Sequence, residues 1–285
     1  MKQKKTFLNF FSLNSQQLVG TYGRKGEGPG EISFLPTMVH HDFVNSGTFT
    51  YYDWGKKMLA EVPLQRALNN TDYSTRPQKN YVLPPELIKT QRLTYLNDST
   101  IIGGGGNTKG KLLISNLEDT SFTYSAFIPE SKQSIPRKNI GYAYFGFFSI
   151  NKIQDKIVWA NNKFPQFEIY NGSGDLTLTV DYSDAPKQEF NSSGLTKGKT
   201  VLFHKDIVTT QDSIYVLYIG KTHTELDRTN NNVNPEIRVF DWQGNPLKRI
   251  ILDHYITKFD ITADTIYGLA PYNKEGVIIS FDRKN

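Results

Sequence analysis

An all-β fold built from repeated four-stranded antiparallel units is predicted by three features of the sequence. Segments rich in β-branched and aromatic residues recur along the chain, each bounded by Asp, Asn or Gly. Their hairpins return with a period of about fifty-five residues, and a fixed period is the first thing to seek because missing it miscalls the fold. The composition agrees: 13% of the 285 residues are aromatic and 38% hydrophobic, a balance that suits half-buried pleated faces.

The repeat is read from its inner hairpins. Leu93-Thr-Tyr-Leu-Asn-Asp98-Ser-Thr-Ile-Ile, Ser149-Ile-Asn-Lys-Ile-Gln-Asp155-Lys-Ile-Val-Trp, Ile207-Val-Thr-Thr-Gln-Asp212-Ser-Ile-Tyr-Val and Phe259-Asp-Ile-Thr-Ala-Asp264-Thr-Ile-Tyr-Gly share one pattern of strand, polar turn and strand. Asp98, Asp155, Asp212 and Asp264 succeed one another at about 52 to 57 positions, and Val39 to Tyr51, with Ser46 at its turn, supplies an earlier copy. Asp and Asn suit such turns because their side chains cap nearby amides and tolerate left-handed backbone.

An outer hairpin follows the inner one. Phe167-Glu-Ile-Tyr-Asn-Gly-Ser-Gly-Asp-Leu-Thr-Leu-Thr-Val and Ile237-Arg-Val-Phe-Asp-Trp-Gln-Gly-Asn-Pro-Leu-Lys-Arg-Ile each read as strand, Gly-bearing turn and strand. Four-stranded units repeated in this way are the signature of propeller blades. The expectation is a single domain over residues 1–285, a six-bladed β-propeller with blades near 6–35, 36–85, 86–139, 140–200, 201–254 and 255–285. Phe7 to Tyr22 fits an outer hairpin alone and Val277 to Asp282 a third strand, so the first and last blades are expected to be incomplete. The alternative is a five-bladed ring closed by the N-terminal hairpin.

Charge and composition exclude several classes. The net charge is +5, but the 33 basic residues are scattered, without the basic stripe or motif of a nucleic-acid binder. Without cysteine, disulfides, thiolate metal sites and thiol catalysis are ruled out. Lys2, Lys4 and Lys5 precede an apolar run from Phe7 that is short and broken by Asn, so no signal peptide is read. The longest apolar run, Ala143 to Ile150, is far below the roughly eighteen residues of a membrane helix.

Thr21-Tyr-Gly23-Arg-Lys-Gly26-Glu-Gly28-Pro29-Gly30-Glu31, followed by Tyr51-Tyr-Asp53-Trp54-Gly, resembles the TolB-like six-bladed β-propeller family, mostly envelope lipoproteins of anaerobic bacteria. The resemblance implies a cell-envelope location, periplasm or outer-membrane surface, with membrane attachment only through a lipid anchor that this chain lacks. It supplies no catalytic residues. Gly26, Gly28 and Gly30 are expected to take left-handed torsions closed to other residues, and Pro29 to fix its own φ. The loop then reads either as a rigid corner between blades or, with Glu31, as a nest of amides for an anion or a partner carboxylate.

Counting back six residues from each inner turn gives His40, Arg92, Ser149, Asp206 and Lys258, all polar, whereas the next register, His41, Leu93, Ile150, Ile207 and Phe259, is mostly apolar. That alternation is expected to point one register into a wet central channel and the other between blades. His40, Arg92, Asp206 and Lys258 are candidates to engage a small anionic or hydroxylated ligand. Gly105 to Lys111 has phosphate-loop spacing but ends in Leu112 and runs into a strand-like segment, so it reads as a glycine-rich turn. Lys221 to Glu236 and Ala60 to Pro85 read as insertions, one lengthening a hairpin and the other separating blades.

The leading expectation for function is a non-enzymatic binding or scaffolding propeller recognising a protein or glycan, with no cofactor, no metal and no nucleic-acid partner. The alternative is a lactonase-like, metal-dependent hydrolase or lyase with Asp42, Asn151, Asp206 and Asp260 around the channel. Arg92 and Lys258 nearby oppose a bound cation electrostatically.

Overall fold

The computed structural model describes residues 6–15, 17–28, 30–34, 36–39, 47–69, 79–83, 85–87, 90, 92–105, 109–119, 121–127, 135–182, 200–230, 233–272 and 278–283. Its strands are β1 (Thr6–Phe11), β2 (Leu18–Arg24), β3 (Pro36–Val39), β4 (Thr48–Asp53), β5 (Met58–Pro63), β6 (Lys79–Val82), β7 (Arg92–Tyr95), β8 (Thr100–Gly104), β9 (Leu112–Asn116) and β10 (Phe122–Tyr124). There follow β11 (Gly146–Asn151), β12 (Lys156–Asn161), β13 (Gln166–Asn171), β14 (Leu176–Asp181), β15 (Val201–Thr209), β16 (Ile214–Thr222), β17 (Glu236–Phe240), β18 (Pro246–Ile251), β19 (Lys258–Ile261), β20 (Thr265–Leu269) and β21 (Ile278–Asp282). Among the described residues, three short helices join them: α1 (Leu64–Asn69), α2 (Arg137–Ala143) and α3 (His223–Arg228).

The fold is an all-β propeller. Four sheets have four strands each, β3-β4-β5-β6, β7-β8-β9-β10, β11-β12-β13-β14 and β15-β16-β17-β18, and a fifth, β19-β20-β21, has three. The remaining strands, β1 and β2, form a two-stranded ribbon. Among the described residues five blades are therefore present, as the alternative count has it. The six-bladed expectation is met only approximately, because the ribbon stands where a first blade was expected. The stretch read as an insertion between blades, Ala60 to Pro85, instead carries the end of β5, all of α1 and β6. Its apolar strand residues are few, so its sequence carries little strand signal.

Backbone contacts group the chain into two compact units, residues 1–103 with 115–121 and residues 104–114 with 122–285. In the first, Tyr22, Phe49 and Tyr51 pack with Ile32, Val62 and Ala67. Tyr22 meets the edge of Phe49 with ring centroids 5.3 Å apart, a geometry that ring quadrupoles favour. In the second, one core lies between the β11–β14 and β15–β18 blades, with Phe147, Val158 and Phe167 against Ile207, Val216 and Phe240. Another joins β15–β18 to β19–β21 through Leu217, Ile237, Phe259 and Ile266. Burying these side chains is worth about 2 kcal/mol each, and each core is shared by two consecutive sheets, so blades stabilise one another.

The inner turns near Asp98, Asp155, Asp212 and Asp264 form where expected, but other residues cap them, and the turn expected at Ser46 lies outside the described residues. Asn97 Oδ1 accepts from the amides of Ser99 and Thr100 at 3.1 and 2.8 Å, and Asn151 Oδ1 from Ile153 and Gln154, both at 3.1 Å. Thr210 and Thr262 accept from the amides of Ser213 and Thr265 at 3.1 and 3.3 Å. Asp155 instead takes the left-handed position, with φ of 51°. The hairpin insertion is ordered by α3, whose Thr222 and Glu225 cap each other's backbone amides, the reciprocal arrangement of a capping box.

Candidate functional site

The glycine-rich loop that follows β2 is a closed clamp in the first unit. Glu31 turns back so that its Oε2 accepts from the Gly28 amide at 3.0 Å. Lys56 Nζ crosses to the Gly28 and Glu31 carbonyls at 3.0 and 2.7 Å. Asp53, buried at the end of β4, accepts from the Ser33 amide and hydroxyl at 2.8 and 2.7 Å. The same carboxylate also holds the Gly55 and Lys56 amides at 2.9 and 3.2 Å. The two halves of the signature thus meet as one hydrogen-bonded unit.

Only part of the expected torsional role holds. Gly30 has φ of 77°, whereas Gly26 and Gly28 are absent from the left-handed residues. Gly26 is required for space instead, since a Cβ there would lie 1.9 Å from Glu31 Oε2. Pro29 lies outside the described residues. The anion that the loop's amides meet is its own Glu31 carboxylate.

Three of the channel-register residues, Ser149, Asp206 and Lys258, join blades. Lys258 Nζ bonds Asp206 Oδ1 at 2.7 Å, and Asp206 Oδ2 accepts from the Phe259 amide at 3.2 Å, so β15 and β19 are tied through one carboxylate. Ser149 meets Thr209 at 2.9 Å, hydroxyl to hydroxyl. Asn151 donates to the Thr210 and Gln211 carbonyls at 3.3 and 3.2 Å, tying β11 to the turn after β15. Asp260 is exposed and its Oδ1 accepts from the Ile261 amide. Arg92 starts β7 in the first unit and is half-buried. His40, His41 and Asp42 lie outside the described residues. Among the described residues, no three His, Asp or Glu side chains gather closely enough to hold a metal ion.

A second constellation, in the second unit, was not visible in the sequence. Lys111 and Glu168 form an ion pair at 2.6 Å with both side chains fully buried. Glu168 Oε1 also accepts from Asn161 Nδ2 at 2.8 Å and Gln166 Nε2 at 2.7 Å, and Oε2 from the Tyr170 hydroxyl at 3.2 Å. Burial pushes the Lys111 ammonium down to about 8, with Glu168 pulling it back up. A buried carboxylate survives in such a place only when its lone pairs are filled.

The network continues across the blade. The Asn161 carbonyl accepts from His204 Nδ1, and His204 Nε2 accepts from the Tyr182 hydroxyl at 3.2 Å. That assignment makes the wholly buried imidazole neutral, and burial drives its pKa down to about 3. Arg238 of β17 lies over Tyr218, 3.5 Å from its ring centroid, and 4.8 Å from that of Tyr182. A guanidinium on an aromatic face is held by the ring quadrupole. Beyond this group opens a cavity of about 650 Å³, lined by Val180, Tyr182, Tyr218, Arg238, Phe240 and Leu247 among others. An Arg flanked by Ile237 and Val239 in a strand was the one local hint, a charge in an otherwise apolar run.

The fold and these sites define a β-propeller with buried polar networks between its strands and a cationic, aromatic concavity. The sequence pattern of the family described as TolB-like 6-blade propeller-like matches residues 1–264, and the chain belongs to that family. No curated protein matches it. Among solved structures it is similar to a member of the duf4221 family from Bacteroides vulgatus, at 10% identity and a TM-score of 0.61, covering 96% of this chain and 84% of that one. It is also similar to a candidate exported protein from Bacteroides fragilis, at 12% identity and a TM-score of 0.55, covering 90% and 71%. A protein of unknown function from Bacteroides caccae matches at 11% identity and a TM-score of 0.53, covering 95% and 84%. No helix among the described residues is long and apolar enough to cross a membrane.

Asp53→Ala leaves two loop amides and the Ser33 amide without their acceptor, and a loss of about 3 kcal/mol in urea unfolding is expected; a loss below about 0.5 kcal/mol would show the clamp to be incidental. His204 gives a pH dependence of definite sign. Its folded pKa of about 3 lies below the ordinary 6.5, so its contribution is complete above about 6.5 and declines as pH falls toward 3, because only the unfolded chain takes up the proton. Unfolding free energy is expected to fall by about 1.4 kcal/mol per pH unit in that window, and His204→Gln to flatten the slope. An identical slope in the variant would remove His204 from the explanation.

Proposed function

We propose that this chain is a non-enzymatic binding or scaffolding propeller of the bacterial cell envelope that recognises a protein or glycan ligand. The observation that carries this reading is the state of the polar groups best placed for chemistry. Asp206 is neutralised by Lys258, Asn151 holds two backbone carbonyls, and Ser149 is bound to Thr209. A general base or a metal ligand needs free lone pairs directed at a substrate, and here those groups bind neighbouring strands. What stays open to solvent is a concavity with convergent polar groups, which is the usual form of a binding site. Asp206 and Lys258, joined across β15 and β19 in the second unit, remain proposed contacts for an anionic or hydroxylated ligand, and His40 and Arg92 remain proposed on the sequence register alone. The envelope assignment is supported by the family and by the structural likeness to the candidate exported protein from Bacteroides fragilis.

Thermal unfolding of the full chain separates binding from metal catalysis, because a ligand bound only by the folded state raises the melting temperature. A panel of acidic and neutral peptides and of cell-wall and capsular oligosaccharides is expected to contain a stabilising ligand, while calcium and zinc leave the melting temperature within about 1 °C. A rise of several degrees with either cation, and with no peptide or glycan, would reverse the reading in favour of a metal-dependent hydrolase.

A further inference from the structure

The cavity between β14 and the β17–β18 hairpin has a definite chemical character. Arg238 uses Nε to bond Glu236 Oε2 at 3.2 Å, and among the described residues no group accepts from its two terminal amino nitrogens. Those nitrogens belong to a guanidinium that Tyr182 and Tyr218 hold in place, so the fork is preorganised at low entropic cost. Glu236 is shared, since its Oε1 also binds Arg249 NH2 at 2.7 Å. Lys248 also borders the cavity, its Nζ donating to the Arg283 carbonyl at 3.1 Å, and among the described residues Asp181 is the one carboxylate in the lining. Among the described residues, Arg238, Lys248 and Arg249 thus stand against the carboxylates of Asp181 and Glu236, an excess of one positive charge beside walls of Val180, Val239, Phe240, Pro246 and Leu247.

The same lining argues against a sugar. Carbohydrate hydroxyls are met by paired donors and acceptors, and the described residues of the lining include no Asn or Gln side chain. Its aromatic faces are in use: Arg238 covers Tyr218, and Tyr182 stacks on Phe240 with ring centroids 6.1 Å apart and planes at 15°. What remains fits a carboxylate beside an aliphatic side chain. Leu247 is 56% exposed and waits at the edge of the apolar wall.

We propose that this cavity docks an acidic peptide segment in which Asp or Glu alternates with aliphatic residues. A carboxylate meets the Arg238 fork, where paired N–H donors recognise it bidentately, and an adjacent aliphatic side chain covers Val180, Phe240 and Leu247. Lys248 and Arg249 steer the approach of the chain. This rests on the binding reading above and narrows it from protein or glycan to an acidic protein segment, at a place on the second unit separate from the channel register.

The test uses the full chain and two fluorescein-labelled hexapeptides, one alternating Glu and Leu, the other alternating Gln and Leu, read by fluorescence anisotropy. The acidic peptide is expected to bind, and to weaken severalfold as salt rises from about 50 to 500 mM. Arg238→Gln is expected to weaken it at least about tenfold. Lys248→Gln combined with Arg249→Gln, at exposed positions, is expected to weaken it about threefold or more without moving the melting temperature. Equal binding of the Gln peptide, indifference to both variants, or no binding at millimolar protein would each overturn the proposal. If an oligosaccharide or a neutral peptide still stabilises the chain in that case, the broader binding reading stands and only the acidic-peptide docking falls.

Discussion

A carboxylate with no access to water sets the terms for the second unit. Glu168 lies in the middle of β13 and is fully buried, and an ionised carboxylate in such a place is tolerated only with a cation and a filled set of donors. Lys111 supplies the cation from the segment entering β9, and Asn161, Gln166 and Tyr170 supply the donors from β12 and β13. Every one of these side chains must be in register at once. Slipping β13 by one residue would move Glu168 to the opposite face and leave the lysine stranded, since side chains alternate strictly along a strand. The ion pair therefore fixes register in a sheet whose apolar pattern alone is permissive.

The consequences run outward from that point. Asn161 takes part twice, donating its side-chain amide to Glu168 and offering its carbonyl to His204. His204 in turn orients Tyr182, and Tyr182 forms one wall of the Arg238 site. A chain of bonded groups thus links the buried pair to the surface cavity, and the guanidinium at its end is held by aromatic rings whose positions the interior has already determined. Preorganisation of this kind lowers the cost of ligand binding because fewer rotamers remain to be frozen. The clamp around Asp53 and Glu31 plays a similar part in the first unit, where a family signature of glycines and acids turns out to be structural glue.

Much of the fold was legible because it is written locally. Strand periodicity, Gly-bearing outer turns and the recurrence of the inner hairpins are properties of short windows, and they survive in the structure from β7 through β21. Details slipped where two residues compete for one role: Asn97, Thr210 and Thr262 cap turns whose aspartates drew attention first. The site was far less legible. Lys111 stands in a loop with phosphate-binding spacing, and nothing nearby announces that its partner is Glu168 in another blade. His204, Tyr182 and Arg238 likewise come together only through the adjacency of β14, β15 and β17. Of the channel register, Asp206 and Lys258 meet each other between β15 and β19, a pairing across blades that no local window displays.

A double-mutant cycle on Lys111→Met and Glu168→Gln, followed by urea unfolding, tests most directly whether the buried pair governs the structure. Each single change strands a buried group and should cost about 3–5 kcal/mol, while the double change should recover at least about 2 kcal/mol of the combined loss. Losses that simply add, with a coupling near zero, would contradict the claim that the two side chains act as one interior fastening.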